Sequence, residues 1–235
     1  YGNKAMEIGE RIKDPGIQGN AIFQLSLNLR QLGQGEKARD LLLKGIEITK
    51  EMLPGPRKEI TQANLYQQLG VSFMRQGKNE EAIDYMTYAL RSQESALAFM
   101  KKGRNLPPGA IPRVQSGLLS TLFQLGTAYT QAQNTVEAIK TFERGLALIK
   151  ESGLKVFLEA NLLLGLGNAY AETKDLPRAL ETFTKALKTA EDFQNATMVQ
   201  AASGRIGRLL SQTGRAAEAV PYYKKSIDSV ESVSS

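Results

Sequence analysis

The sequence predicts an all-α protein built from antiparallel helical hairpins. Three observations predict this class. One pattern of residues recurs five times along the chain, apolar residues within each copy follow the 3.6-residue period of a helix, and the composition is that of a folded protein. The chain has 235 residues, of which 42% are hydrophobic and 23% charged. It contains no apolar run of about 18 residues, so we expect no insertion into a membrane.

The recurring pattern is anchored on a pair formed by a bulky aliphatic residue and a small residue. The five pairs are Leu25-Ser26, Leu69-Gly70, Leu125-Gly126, Leu166-Gly167 and Ile206-Gly207. Twelve residues after the second member of each pair stands an alanine, at Ala38, Ala82, Ala138, Ala179 and Ala219. Five alanines in one column are hard to reach by chance. We therefore treat each copy as a structural repeat.

Large side chains occupy columns next to the small ones. Sixteen residues after each pair stand Leu42, Met86, Phe142, Phe183 and Tyr223. Two helices approach to about 8 to 10 Å only where the contact carries little side chain. We therefore expect Gly167 and Ala179 to mark the helix contact in the fourth repeat, and Tyr170 and Phe183 to fill the space beside it.

A short break divides each repeat into two helices. Gly33, Gly77 and Gly214 share one column of this break, where a glycine can adopt the left-handed conformation that ends a helix. In the fourth repeat, the segment 174–177 supplies Asp175 as a helix cap and Pro177 in the first turn of the next helix. Each repeat is therefore predicted to be a helical hairpin.

The predicted organisation is a single array over residues 1–235. Its five repeats cover residues 16–53, 60–102, 114–152, 156–193 and 197–233. Residues 1–13 are interpreted as the second helix of a truncated repeat, because Ala5 lies 40 residues before Gly45. No clear polar capping helix follows the fifth repeat, although terminal repeats normally need one. We therefore expect the chain to be a fragment of a longer protein.

The second and third pairs are 56 residues apart, whereas the other spacings are 44, 41 and 40 residues. Residues 95–102 are predicted to extend the preceding helix. A Pro- and Gly-rich loop is predicted over residues 103–113, since Gly103, Pro107, Pro108, Gly109 and Pro112 oppose helix continuation. This loop is either a connection that spans a change in superhelical angle or a partner-binding flap. The flap would carry Lys101, Lys102, Arg104 and Arg113.

The chain resembles the tetratricopeptide repeat over about residues 16–233. The resemblance is carried by the columns described by a bulky residue, Leu-Gly, Tyr, Ala, Phe and a small residue. The resemblance implies a right-handed superhelical solenoid. The column that often holds Trp in this family departs from the pattern, with Ile22, Tyr66, Leu122, Leu163 and Ser203. The period is also longer than the usual 34 or so residues. Such long repeats resemble those of LGN-type polarity adaptors, kinesin light chains, bacterial peptide-sensing regulators and the arrays that precede CHAT protease domains.

The resemblance also implies where a partner would bind, because the first helices of this family line a concave groove. Mapped onto this sequence, the groove positions hold Asn20, Gln24, Asn64, Gln67, Gln68, Gln124, Thr127, Asn161, Asn168, Arg205 and Arg208. Asn and Gln side chains both donate and accept hydrogen bonds, so a row of them can satisfy the backbone of a peptide. Arg205 and Arg208, one turn apart, could clamp a carboxylate.

These residues favour a non-catalytic scaffold or adaptor that binds a protein, either as a peptide or as a partner helix. The alternative is a regulatory or sensor array that controls an attached effector domain, for example a CHAT-type protease. The family's two-carboxylate clamp for chaperone tails is disfavoured, because its positions hold Gln67, Val71, Ser120 and Gln124. Self-association through exposed terminal repeats is a third hypothesis.

Other function classes find no support. The chain has no Cys and no His, which removes thiol nucleophiles and zinc sites of the usual kind. It carries no phosphate-binding loop, so we expect no catalysis, metal or cofactor. The net charge of +6 is mild and the aromatic residues fall in core columns, which disfavours nucleic acid. We expect an intracellular, cytoplasmic location, and because the chain starts at Tyr1, a targeting segment could have been removed.

Overall fold

The computed structural model describes residues 7, 11, 13–103 and 106–234, with side chains up to residue 229. The described residues form ten helices and no strand, which confirms the all-α prediction. The helices are α1 (Pro15–Gln31), α2 (Gly35–Thr49), α3 (Pro56–Arg75), α4 (Asn79–Lys102), α5 (Ala110–Gln131), α6 (Thr135–Ser152), α7 (Leu158–Glu172), α8 (Leu176–Asp192), α9 (Ala196–Gln212) and α10 (Ala216–Ser234). The helix predicted within residues 1–13 falls almost entirely outside the described residues. In the described ranges, no helix is both long and apolar enough to cross a membrane.

The chain divides into two compact units, residues 1–132 and 133–235. Unit 1 contains α1 to α5, and consecutive helices in it pack against each other. In addition, α1 contacts α3 and α3 contacts α5. Unit 2 contains α6 to α10, which also pack in chain order, and α7 contacts α9. Within each unit, therefore, first helices of successive repeats lie side by side.

The breaks inside the repeats share one backbone geometry. Three residues separate the two helices of every repeat, and the middle residue has a positive φ each time. These middle residues are Gly33 (φ 74°), Gly77 (72°), Gln133 (58°), Lys174 (62°) and Gly214 (77°). The left-handed conformation predicted for the three glycines is confirmed. In the fourth repeat, the turn also lets the Asp175 backbone N–H donate to the Tyr170 carbonyl at 2.9 Å, which satisfies a free helix-end acceptor.

Asp175 caps the start of α8, as the sequence predicts. Its Oδ1 accepts a hydrogen bond from the backbone N–H of Arg178 at 3.1 Å, and its Oδ2 accepts one from the Arg178 guanidinium at 2.5 Å. The hydrogen bond from the Arg178 side chain, followed by the one from its backbone N–H, lowers the pKa of Asp175 below its ordinary value of 3.8. The ionised carboxylate thus stabilises the fold.

A lowered pKa gives a testable pH dependence. The contribution of Asp175 is present above its ordinary pKa and is lost as the pH falls through the lower folded-state value. We expect Asp175→Asn, which keeps a capping oxygen but not the charge, to lose less stability than the wild type between about pH 7 and about pH 3. Urea unfolding at the two pH values measures this difference. An equal loss in both proteins would show that the carboxylate charge is not linked to folding.

The small columns are tightly packed, as predicted. The five alanines are buried, with exposed fractions of at most 1%: Ala38, Ala82, Ala138, Ala179 and Ala219. A β-carbon added to Gly167 would lie 2.5 Å from Cε1 of Phe183, and one added to Gly70 would lie 2.6 Å from Cγ of Met86. Only glycine fits at these contacts. The prediction that large side chains fill the space opposite small residues is thereby confirmed.

The loop between α4 and α5 is shorter than the predicted 103–113. As expected, α4 continues through residues 95–102, but α5 begins at Ala110, so the connection covers residues 103–109. Pro112 is the third residue of α5, where the backbone has no intrahelical acceptor to bind, and its ring is therefore tolerated. Pro56 is tolerated in the same way, because it is the first residue of α3.

Two apolar clusters belong to the core of unit 1. The first joins α1, α2 and α3 through the buried residues Ile22, Leu42, Ile46, Leu65 and Leu69. The second consists of Ala96, Met100 and Val114, with Ile60, Leu97, Leu106, Ala110 and Ile111 packed against it. This second cluster joins the long C-terminal part of α4 to the beginning of α5. It exists because α4 is extended beyond the length of an ordinary repeat helix.

Candidate functional site

The predicted binding residues all lie on the first helices of the repeats, and both units carry some of them. In unit 1 they are Asn20 and Gln24 on α1, Asn64, Gln67 and Gln68 on α3, and Gln124 and Thr127 on α5. In unit 2 they are Asn161 and Asn168 on α7 and Arg205 and Arg208 on α9. They therefore form two sets, one in each unit.

Three residues of the unit 1 set form hydrogen bonds inside the protein. Gln67 Nε2 donates to Ser120 Oγ at 3.1 Å, which joins α3 to α5. Gln68 Oε1 accepts from the guanidinium of Arg30 at 2.5 Å, which joins α1 to α3. Thr127 Oγ1 donates to the Phe123 carbonyl at 2.9 Å. Gln67 and Gln68 thus hold neighbouring helices together, whereas the Thr127 bond lies within α5.

The other residues of the unit 1 set have polar groups to offer. Asn20 and Gln24 are exposed, and Asn64 is half-buried. Gln124 Oε1 is buried and has no hydrogen-bond partner among the described residues. An unpaired buried acceptor costs about 1 to 3 kcal/mol, so it is normally satisfied by water or a ligand.

Sequence reasoning missed two cationic residues on the first helices of unit 1, Arg30 and Arg75. Arg30, on α1, is half-buried, and burial followed by the charge of Arg75 lowers its pKa. Both arginines lie one turn or more beyond the Leu-Gly column of their helices. The signal was present in the sequence as basic residues near the ends of α1 and α3. The partial burial that distinguishes Arg30 requires the packed structure, whereas Arg75 is exposed.

In unit 2, Arg205 and Arg208 place two like charges one turn apart on α9. Burial lowers the pKa of Arg205, and the nearby charge of Arg208 lowers it further. Arg205 Nε is buried without a hydrogen-bond partner in the described part of the chain. In residues 13–103 and 106–229, no carboxylate pairs with either guanidinium. The pair therefore has the electrostatics of an anion-binding site.

The amides of unit 2 lie on the helix next to this pair. Asn161 Oδ1, on α7, is buried and has no partner among the described residues, and Asn168 is half-buried. Asn168 and Arg208 directly follow the Leu-Gly and Ile-Gly pairs of their repeats, so they occupy equivalent positions on α7 and α9. Since these helices contact each other, we call Asn161, Asn168, Arg205 and Arg208 the α7–α9 surface. No cluster of metal-binding side chains occurs in the described residues.

Comparison with protein-family models decides the family. Models described as tetratricopeptide repeat match residues 117–192 and, in a second model, residues 63–103 and 201–229. Together they cover more than half of the chain and reach the second to fifth repeats. The chain is a tetratricopeptide repeat protein. Its fold is typically that of a non-catalytic scaffold for protein partners, which agrees with the function class predicted from the sequence.

Solved structures share this tetratricopeptide fold at low sequence identity. The apo form of RapI is 13% identical with a TM-score of 0.77, over 92% of this chain and 72% of that one. BtubC from P. vanneervenii is 16% identical with a TM-score of 0.78, over 99% and 89%. A putative kinesin light chain from P. anserina, with nearly identical TPR-like repeats, is 16% identical with a TM-score of 0.67, over 93% and 97%. No curated protein sequence matches the chain.

Proposed function

We propose that this tetratricopeptide protein binds a peptide segment of a protein partner on the α7–α9 surface. The observation that carries the proposal is a pair of buried polar atoms without partners, Asn161 Oδ1 and Arg205 Nε, on neighbouring first helices. A native fold keeps few such atoms, and those it keeps call for an explanation. A bound peptide supplies the missing hydrogen bonds.

The chemistry of the surface defines the peptide. Asn161 and Asn168 each offer a donor and an acceptor, which match the alternating N–H and C=O groups of an extended or helical backbone. Arg205 and Arg208 offer two guanidinium groups that bind a carboxylate through paired hydrogen bonds. The peptide is therefore acidic at the end that reaches α9.

The positions of the aromatic rings support a protein partner over a nucleic acid. Single-stranded nucleic acids bind by stacking bases on exposed aromatic side chains. Phe142, Tyr170 and Phe183 are instead buried in unit 2, with exposed fractions of 1%, 6% and 2%. Phe157, Phe193 and Tyr223 are exposed, but all three lie outside α7 and α9. The hydroxyl of Tyr170 is also occupied, because it donates to Glu143 at 2.7 Å.

A displayed library of random linear peptides tests the proposal. We expect selection against the whole chain to enrich acidic peptides. Their affinity, measured by fluorescence anisotropy, should fall about tenfold or more in Arg205→Gln/Arg208→Gln, because charged hydrogen bonds contribute about 1.5 to 3 kcal/mol. Asn161→Ala/Asn168→Ala should abolish binding while the helical circular dichroism stays unchanged.

A matched control removes the same charge elsewhere. Lys150 and Lys224 are exposed on the second helices α6 and α10. Lys150→Gln/Lys224→Gln should bind the selected peptides with at most a small loss, of the kind that long-range electrostatics produces. If the arginine variant binds as tightly as this control, the α7–α9 surface is not the binding site.

A further inference from the structure

A cavity of about 240 Å³ lies in unit 1, between α3, α4 and the beginning of α5. Its apolar wall includes Met100 and Val114 of the second core cluster, and Ile60, which packs against that cluster. Met100 and Val114 are well buried, with 7% and 6% exposed. An apolar cavity of about 150 Å³ is already large enough to bind benzene. The present cavity therefore has room for a large aliphatic or aromatic side chain.

A buried polar group also lines this cavity. Gln93, on α4, is only 4% exposed, and its Oε1 has no hydrogen-bond partner among the described residues. A leucine at this place would avoid the cost of about 1 to 3 kcal/mol that an unpaired buried acceptor carries. The amide of Gln93 is thus better explained by a ligand donor than by the packing of the cluster.

The amide of Gln93 lies directly against α5. A β-carbon on Gly117 would stand 3.2 Å from Gln93 Nε2, so the absence of a side chain at Gly117 makes room for the amide. Arg113 lies one turn before Gly117 and also lines the cavity. Arg113 and Gly117, the residue that faces the buried amide, are therefore one helical turn apart on α5.

Arg113 marks the open side of the cavity, because its side chain is exposed. Across residues 13–103 and 106–229, no carboxylate forms an ion pair with it. Lys101 and Lys102, at the end of α4, are exposed as well and add positive charge to this end of unit 1. An anionic group on a ligand is thus attracted to the mouth of the cavity.

We propose that the cavity binds an N-acylated apolar α-amino acid. The apolar side chain enters between Met100 and Val114, the N–H donates to Gln93 Oε1, and the carboxylate binds the guanidinium of Arg113. The N–H and carboxylate of such a group are attached to one carbon atom, which matches two protein groups one helical turn apart. A free N-acyl amino acid and the C-terminal residue of a peptide share this chemistry.

This site is independent of the α7–α9 surface, because all its residues lie in unit 1. Failure of one proposal therefore leaves the other untouched. The probes are N-acetyl-L-leucine, N-acetyl-L-phenylalanine and a hexapeptide ending in leucine, each as the free acid and as the amide. Titration of the ¹⁵N-labelled chain should shift the backbone resonances of Val114 and Gly117 with the acids only.

Two substitutions separate ligand binding from folding. Gln93→Leu removes the unpaired acceptor, so we expect an equal or higher thermal midpoint without ligand and a loss of affinity of about tenfold. Arg113→Gln should weaken the binding of the acids by a similar factor. Arg91→Gln, which removes an exposed arginine of α4 that does not line the cavity, should leave the affinity unchanged.

The binding measurements distinguish support for the site from its rejection. Binding of the free N-acetyl amino acids and the peptide, or of either alone, supports the site and identifies the source of its ligand. Equal binding of acids and amides, or an Arg113→Gln variant that binds like Arg91→Gln, overturns the proposal. If Gln93→Leu proves unstable, the comparison of acids with amides and of the two arginine variants still decides.

Discussion

Replacing Phe142 with alanine is expected to lower the free energy of unfolding by about 3 to 5 kcal/mol. Phe142 is 1% exposed and is the largest of the fully buried side chains. Its ring lies against the backbone of α7, where a β-carbon on Gly165 would stand 2.6 Å from Cζ of the ring. Gly165 contributes no side chain that could move into the vacated space. The variant thus retains a cavity, and urea unfolding followed by circular dichroism measures its cost.

An exposed phenylalanine of unit 2 provides the control. Phe157, directly before α7, has 55% of its surface exposed. Phe157→Ala is expected to change the free energy of unfolding by no more than about 0.5 kcal/mol. In Phe142→Ala, the backbone amides of α6 and α7 should exchange with solvent faster than in the wild type. A loss below about 1 kcal/mol in Phe142→Ala would mean that the two helices close the gap.

The second large effect is expected at Gly167. A methyl group there would stand 2.5 Å from Cε1 of Phe183, a ring that is 2% exposed and has little room to move. Overpacking of this kind costs about 1 to 3 kcal/mol, which outweighs the roughly 0.5 to 1 kcal/mol that alanine contributes over glycine inside a helix. We therefore expect Gly167→Ala to destabilise the protein in urea unfolding.

Gly204 and Phe183 supply the tests of this mechanism. A β-carbon on Gly204, in α9, meets only Ser226 Oγ at 3.5 Å, so Gly204→Ala should be neutral or stabilising. In Gly167→Ala/Phe183→Leu, the smaller aliphatic side chain removes the clash. We therefore expect the double variant to lose less stability than the sum of the losses in Gly167→Ala and Phe183→Leu. If the losses of the two single variants are strictly additive, Gly167→Ala destabilises the protein through its backbone and not through the contact with the Phe183 ring.

The features that the sequence predicts well are those set by residues close along the chain or repeated in register. The small column at Gly167 and Ala179 recurs in every repeat, so its role as a helix contact could be inferred from spacing alone. The turn glycines were found for the same reason. The left-handed conformations of Gln133 and Lys174 were not predicted, because turn geometry imposes them on residues that do not favour them.

The candidate sites were only partly predictable. Spacing placed the amide residues on the first helices, but it could not show that Gln67 and Gln68 bind Ser120 and Arg30. Those contacts join residues 53 and 38 positions apart. Gln93 was not predicted, because it becomes a candidate binding residue only through its burial and its unpaired Oε1. Neither property has a signature in a single sequence.

The common geometry of the turns has a consequence for how the chain could have arisen. The first helix of each repeat reaches the second across three residues with a left-handed centre, whether that centre is Gly33, Lys174 or Gly214. A genetic crossover between two of these turns would rejoin segments with matching backbone directions. Gain or loss of a whole helix pair would then leave the turn geometry intact. The number of repeats is therefore free to change, and only the hairpin at the crossover combines helices from two repeats.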